Sequence, residues 1–145
     1  MINVTLGLNT SIHQYTNLYG CTIGDGTSVG PFTEIQKNVS IGKNCKIQSH
    51  SFICDGVVIK DNVFVGHGVI FCNDRHPRAC STDGKKLTES DWALEKILVE
   101  KGASIGSGAV ILPGITIGEN AMIGAGSVVT KNVYSNTTVK GNPAK

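Results

Sequence analysis

A chain of 145 residues with 17% charged residues and a formal net charge of +2 is the size of one domain and lacks the positive charge that electrostatic nucleic-acid binding requires. No stretch of about 18 apolar residues is present, which excludes a helical membrane span, and residues 1–9 lack the basic-then-apolar order of a secretory signal. Eighteen glycines against four prolines fit a repeat better than a disordered linker, and five cysteines without CxxC spacing fit reduced, packed thiols of a cytoplasmic protein.

A six-residue apolar period begins in residues 1–22. Leu6, Ile12 and Leu18 are six apart and the step from Leu18 to Ile23 is five. This predicts an entry coil with one residue deleted within 19–22, either closing the open end as capping repeats do or gripping a substrate. From Ile23 the period holds at Val29, Ile35, Ile41, Ile47, Ile53, Ile59, Val65 and Phe71, and it returns at Val99, Ile105, Ile111, Ile117, Ile123 and Val129. Neither a helix nor a lone strand repeats at six, so the pattern marks a repeat architecture. Three places after each of these 15 residues stands Gly, Asn or Asp in 13 cases, the exceptions being Phe32 and His50. Those types tolerate positive φ. Each hexad therefore predicts a short strand and a left-handed corner, Asp74 and Asn132 included. Four places on, a small or β-branched residue recurs from Thr27 to Val133 and is predicted to point inward. The whole describes a parallel β-helix solenoid.

Residues 75–96 break the period. Phe71 and Val99 are 28 apart where the repeat demands six, so 22 residues are inserted. Loops of that length in compact domains are functional or disordered, and Trp92 and Leu94 give this one an apolar anchor for docking. The coils that follow are the richest in small residues. Gly106-Ser107-Gly108 and Gly124-Ala125-Gly126 leave backbone N–H and C=O groups open to a ligand lying along the wall, although the corners of the repeat ask for glycine in any case.

The pairs Ile23-Gly24, Ile41-Gly42, Ile105-Gly106, Ile117-Gly118 and Ile123-Gly124 resemble the hexapeptide repeat of left-handed β-helix acyltransferases. The resemblance implies an all-β, left-handed parallel β-helix with three hexads per triangular coil. About six coils are then expected in a single domain over 1–145: an entry coil (1–22), first coils (23–74), the inserted loop (75–96), and cofactor-side coils with a tail (97–145). The run from Gly124 to Lys131 and the tail Gly141-Asn142-Pro143-Ala144-Lys145 are similar to the C-terminal signature of members that use acetyl-CoA. That likeness implies pantetheine lying along a coil edge between two subunits of a homotrimer. Gly106, Ser107, Gly108, Gly124, Ala125, Gly126 and Pro143 would line the cofactor, and Lys131, Lys140 and Lys145 would meet its phosphates.

Sorted by threes, Phe32, His50, Gly68, Gly108 and Gly126 share one corner, so both departures from Gly/Asn/Asp lie on one edge. His67 precedes Gly68 one coil above Ser49-His50, and coils stack about 4.8 Å apart. This edge is either a solvated corner or a functional one that a trimer would cover.

Further strings, His50-Ser51-Phe52, Gly66-His67-Gly68-Val69, Asn73-Asp74-Arg75, Pro77-Arg78-Ala79 and Asp91-Trp92, look like those of N-acetyltransferases acting on nucleotide-linked 3-amino sugars. The nearest are the UDP-2-acetamido-3-amino-2,3-dideoxy-glucuronate N-acetyltransferases of bacterial surface-polysaccharide pathways, with enzymes for dTDP-3-amino-3,6-dideoxyhexoses close by. The resemblance implies acetyl transfer from acetyl-CoA, with Asn73 orienting the sugar amine and His67 as base or hydrogen-bond partner. Phe32, Glu34, Gln36, His50, Phe52, Asp74, Arg75, Arg78 and Trp92 are the expected substrate contacts, and no metal is expected. Three other readings stand beside it. A γ-class carbonic anhydrase needs three His ligands per site, where this edge offers His50 and His67. A non-catalytic scaffold leaves the loop and the tail without a purpose. The same reaction on another small acceptor is the third.

Overall fold

The computed structural model describes residues 1–145. It contains nineteen strands, nearly all of two residues, and one 3-10 turn at Glu89–Asp91. The strands stack in three parallel sheets, which form the walls of a left-handed triangular β-helix. The first wall stacks Thr5–Leu6, Thr22–Ile23, Ser40–Ile41, Val57–Ile59, Ile97–Val99 and Thr116–Ile117. The second runs from Ser11–Ile12 to Thr138–Val139 in seven strands, and the third from Asn17–Leu18 to Val128–Val129 in six. Six coils result, with one extra strand on the second wall.

A two-residue strand turns one side chain in and one out. All fifteen residues of the large apolar column are buried, and so are the small ones four places on, Cys45, Ser51 and Ala103 among them. Each fully buried Ile is worth roughly 1.5–3 kcal/mol. The polar members of the small column are paired: Thr27 donates to the Gly42 carbonyl at 2.8 Å and Ser51 to that of Gly66 at 2.9 Å. Stacking places successive column residues on one another, as in Val29↔Ile47 and Ile47↔Val65.

The entry coil pairs one residue out of step, Leu6↔Ile23, Ile12↔Val29 and Leu18↔Ile35, as the five-residue step requires. Gly20, with φ +62°, makes the shortened corner, and a Cβ there would stand 2.7 Å from Lys37 Cβ. Thirteen of the fifteen expected left-handed corners have positive φ, Phe32 (59°) and His50 (64°) included. Asp74 and Asn132 do not, which corrects the expectation for both. At Asp74 the chain is already leaving the coil for the inserted loop. At Asn132 the corner is cut short: Val133 pairs with Ile117, and Asn132 instead accepts the Thr116 N–H through Oδ1 at 2.8 Å.

The tail closes the third wall. Val128 N–H donates to the Gly141 carbonyl at 3.0 Å and Ala144 N–H to that of Val128 at 2.9 Å, so the last residues occupy the edge where a further strand would pair. No helix is long and apolar enough to cross a membrane.

Candidate active site

The third wall ends at a corner where the chain enters the inserted loop, and a cleft of about 450 Å³ lies there. Asn73, Asp55, Gln36 and Tyr19 come from four successive coils. Phe52 projects outward from the wall, and Glu89 and Trp92 of the loop form the roof. Asn73 Nδ2 donates to the Asp55 carbonyl at 2.9 Å, and the Asp55 N–H donates to Gln36 Oε1 at 3.0 Å. Glu34 Oε2 accepts Gln36 Nε2 at 3.2 Å and the Tyr19 hydroxyl at 3.0 Å. Partial burial, then the neighbouring Glu34 carboxylate, push the Tyr19 phenol above its ordinary range. Burial lifts the Cys54 thiol on the cleft floor to about 12.

The loop is docked rather than free. Lys37 forms an ion pair with Glu89 across the cleft mouth. The Glu95 N–H donates to the Asn73 carbonyl at 2.9 Å. Leu94 seats on Gly56, where a Cβ would stand 2.6 Å from Leu94 Cδ2 and would have to displace it, and where φ of +93° favours glycine. Arg75 binds Glu95 through two nitrogens, each at 2.9 Å, and the Pro113 carbonyl at 2.9 Å. That contact holds the Glu95 carboxyl below its usual range. Asp91 is lowered likewise by the N–H and hydroxyl of Thr88.

Across the third wall lies the second edge. Tyr15, Phe32 and His50 form a ladder of exposed rings, Tyr15–Phe32 stacked at 5.5 Å and Phe32–His50 tilted at 5.1 Å. The His67 ring joins Ser49 instead, Nδ1 to Oγ at 3.0 Å, and its backbone N–H donates to Ser107 Oγ at 3.1 Å. Beyond it the corner becomes a glycine track. Nothing lies within 4 Å of a Cβ placed on Gly68 or Gly126. The Ser107 and Ala125 N–H groups have no acceptor in the chain. For Ser107 the cause is Ala125, one coil on, which carries no side-chain oxygen.

At the C-terminal end Lys131 and Lys145 line a hollow of about 380 Å³ beside Tyr134, and the Lys140 side chain packs over Gly124. Pro143 lies in the folded-back tail.

The structure therefore gathers Asn73, Phe52, Gln36 and Trp92 at one cleft, with Glu34 bonded to its wall. Asp74 and Arg75 line an adjoining hollow with Trp92. Arg78 is exposed on the loop, donating to the Pro77 carbonyl at 3.4 Å. Phe32, His50 and His67 stand on the opposite edge of the wall, next to the glycine track of Gly106–Gly108 and Gly124–Gly126. Sequence reasoning missed Tyr15, although it lies three places after Ile12 at the corner position of its hexad. It also missed Tyr19, Lys37, Asp55, Glu89 and Tyr134, whose contacts no spacing announces; Lys37 and Glu89 are 52 residues apart.

Residues 20–55, 38–73 and 96–131 match the profile of the bacterial transferase hexapeptide (six repeats) family, more than half of the chain. The chain belongs to the hexapeptide-repeat transferases. Among relatives, the bifunctional protein GlmU of Thermotoga petrophila is 39% identical over 114 residues, 79% of this chain and 22% of GlmU. The chain thus spans about a fifth of that relative's length. Two solved structures share the hexapeptide fold. AntD, an N-acyltransferase from Bacillus cereus solved with dTDP and 3-hydroxybutyryl-CoA, superposes with a TM-score of 0.83 at 20% identity over 99% of this chain and 81% of its own. A point mutant of perosamine N-acetyltransferase from Caulobacter crescentus, with CoA and GDP-perosamine, gives 0.67 at 19% identity over 97% and 56%.

Proposed function

We propose that the chain is an acetyl-CoA-dependent N-acetyltransferase acting on the 3-amino group of a nucleotide-linked amino sugar in a bacterial surface-polysaccharide pathway. The observation that carries this reading is the Asn73 cleft on a hexapeptide-repeat transferase scaffold, roofed by the inserted loop. Both superposed structures hold CoA or an acyl-CoA with a nucleotide or nucleotide sugar, which supports the same pairing of substrates here.

The sugar amine, in its neutral form, attacks the thioester carbonyl. The C–N bond forms, the C–S bond breaks, CoA leaves as a thiolate, and the proton lost by the amine ends on that thiolate directly or through solvent. Asn73 orients the amine through a hydrogen bond. His67 serves as base or partner on the side of the glycine track. The free N–H groups of Ser107 and Ala125 are the donors for the tetrahedral oxyanion or for the acyl-CoA amides. Lys131, Lys140 and Lys145 meet the CoA phosphates. Because Asn73 and His67 flank one wall, a homotrimer that sets one subunit's edge against the next completes the site. An enzyme that draws on nucleotide sugars and acetyl-CoA works in the cytoplasm.

By resemblance the acceptor is UDP-2-acetamido-3-amino-2,3-dideoxy-glucuronate, whose carboxylate would meet Arg78. A neutral dTDP-3-amino-3,6-dideoxyhexose is the second reading. It is favoured by one observation: Lys37, which lines the cleft, and Arg75 of the adjoining hollow are already paired with Glu89 and Glu95. CoA release measured across UDP- and dTDP-linked 3-amino sugars separates the two, and release with neither class overturns both.

A further inference from the structure

A hydrogen-bonded run crosses four coils and ends on Asn73. The Tyr19 hydroxyl and Gln36 Nε2 donate to one Glu34 oxygen at 3.0 and 3.2 Å. Gln36 Oε1 accepts the Asp55 N–H at 3.0 Å, and the Asp55 carbonyl accepts Asn73 Nδ2 at 2.9 Å. The chemistry of the groups fixes the direction of every link, because a backbone N–H only donates, and a carbonyl or an ionised carboxylate only accepts. Gln36 must turn its oxygen to Asp55 and its NH₂ to Glu34. Asn73 must turn its NH₂ to Asp55, which leaves Oδ1 free to accept. A carboxamide without such a partner exchanges its two ends at little cost.

We propose that Gln36, held by Glu34, is a positioning residue for Asn73. It holds the Asp55 N–H, in the Cys54–Asp55 peptide, while Asn73 binds the Asp55 carbonyl, in the Asp55–Gly56 peptide, and this clamp on the Asp55 backbone presents Asn73 Oδ1 to an N–H of the acceptor amine. Glu34 and Gln36 then act through Asn73 rather than as substrate contacts. This rests on the acyl-transfer reading of the cleft.

The network can be reversed by design. Gln36→Glu alone sets two carboxyl groups against each other and removes the donor to Glu34. The double variant Glu34→Gln/Gln36→Glu restores the run to Asp55: a carboxamide at 34 with its NH₂ in the place of Glu34 Oε2 donates to the new carboxylate at 36 and to the Tyr19 hydroxyl oxygen, and the carboxylate still accepts the Asp55 N–H. For acetyl transfer to the amino sugar, kcat should fall about tenfold in Gln36→Glu, with KM for acetyl-CoA unchanged, and return to within about twofold of the parent in the double variant. A fully active Gln36→Glu, or a double variant no better than the single, overturns the proposal. A second readout is independent of turnover. The Asn73 side-chain amide protons should exchange slowly in the parent and the double variant and faster in Gln36→Glu, and unchanged exchange in Gln36→Glu overturns the clamp. If the parent acetylates no amino sugar while the exchange pattern holds, the acyl-transfer reading fails and the clamp stands.

Discussion

Phe32 and His50 sit with φ of 59° and 64°, a backbone region that costs an ordinary L-residue roughly 1–2 kcal/mol. Glycine or asparagine serves the same corner elsewhere without that strain. Tyr15 shares that conformation with φ of 63°, so three strained rings line one edge, Phe32 stacked on Tyr15 and tilted against His50, with Phe32 56% and Tyr15 71% exposed; this is the pattern of backbone strain gathered at a functional surface. His67 is coupled to that edge through Ser49. With Asn73 on the other edge, the two residues make separable contributions. Asn73→Ala should raise KM for the amino sugar and lower kcat together. His67→Ala should lower kcat by less than about tenfold if proximity and backbone donors suffice; a loss of ~10²-fold or more would assign it an obligatory proton transfer. The thiols give a different test. Burial raises Cys21, Cys45, Cys54 and Cys72 above the ordinary value of 9.0, whereas Cys80 is exposed. At pH 8 a disulfide reagent should modify Cys80 quickly, the half-buried Cys72 more slowly, and Cys21, Cys45 and Cys54 only on unfolding. The unfolded chain releases the protons of the four raised thiols near pH 9 and the folded chain retains them, so stability holds below that pH and falls above it. A melting temperature that rises from pH 8 to pH 10 would contradict the assignment.

At the scale of elements, the inserted loop owes its position to a few contacts: Leu94 on Gly56, Lys37 with Glu89, and Arg75 with Glu95. Leu94→Ala removes the apolar one. Limited proteolysis within 75–96 should become faster while the solenoid melts at nearly the parent temperature, since no column residue is touched. An unaltered cleavage rate would mean that the polar contacts alone hold the loop. The same elements explain what was legible in the sequence. Period six announced the walls and the buried columns, because each hexad repeats one physical demand: a large residue in, a left-handed corner, a small residue in. The five-residue step at Leu18–Ile23 announced the shifted entry coil for the same reason. Where the demand lapses, prediction failed. Asp74 is of the right type but stands where the chain departs for the loop, and Asn132 spends its side chain on Thr116. The cleft was legible in Asn73 and Trp92 through resemblance. The contacts of the Asp55 backbone and the Lys37–Glu89 pair were not, because a backbone group has no sequence signature and an ion pair spanning a docked loop has no period.

For the whole molecule, the proposed function has a solenoid with an aromatic edge that runs into a glycine track on one corner, and a roofed cleft on the next, completing its site when copies stand side by side. Light scattering at micromolar concentration should give about three times the chain mass of 15.3 kDa, and a monomer with full activity would contradict the shared site. In the proposed reaction acetyl passes from acetyl-CoA to the amine of a nucleotide-linked 3-amino sugar. The most direct measurement is CoA thiol release with such a sugar, set against its 3-hydroxy counterpart and repeated with Asn73→Ala. Release should require the amine and drop sharply in Asn73→Ala. Release that is indifferent to the amine, or undiminished in Asn73→Ala, would contradict this reaction.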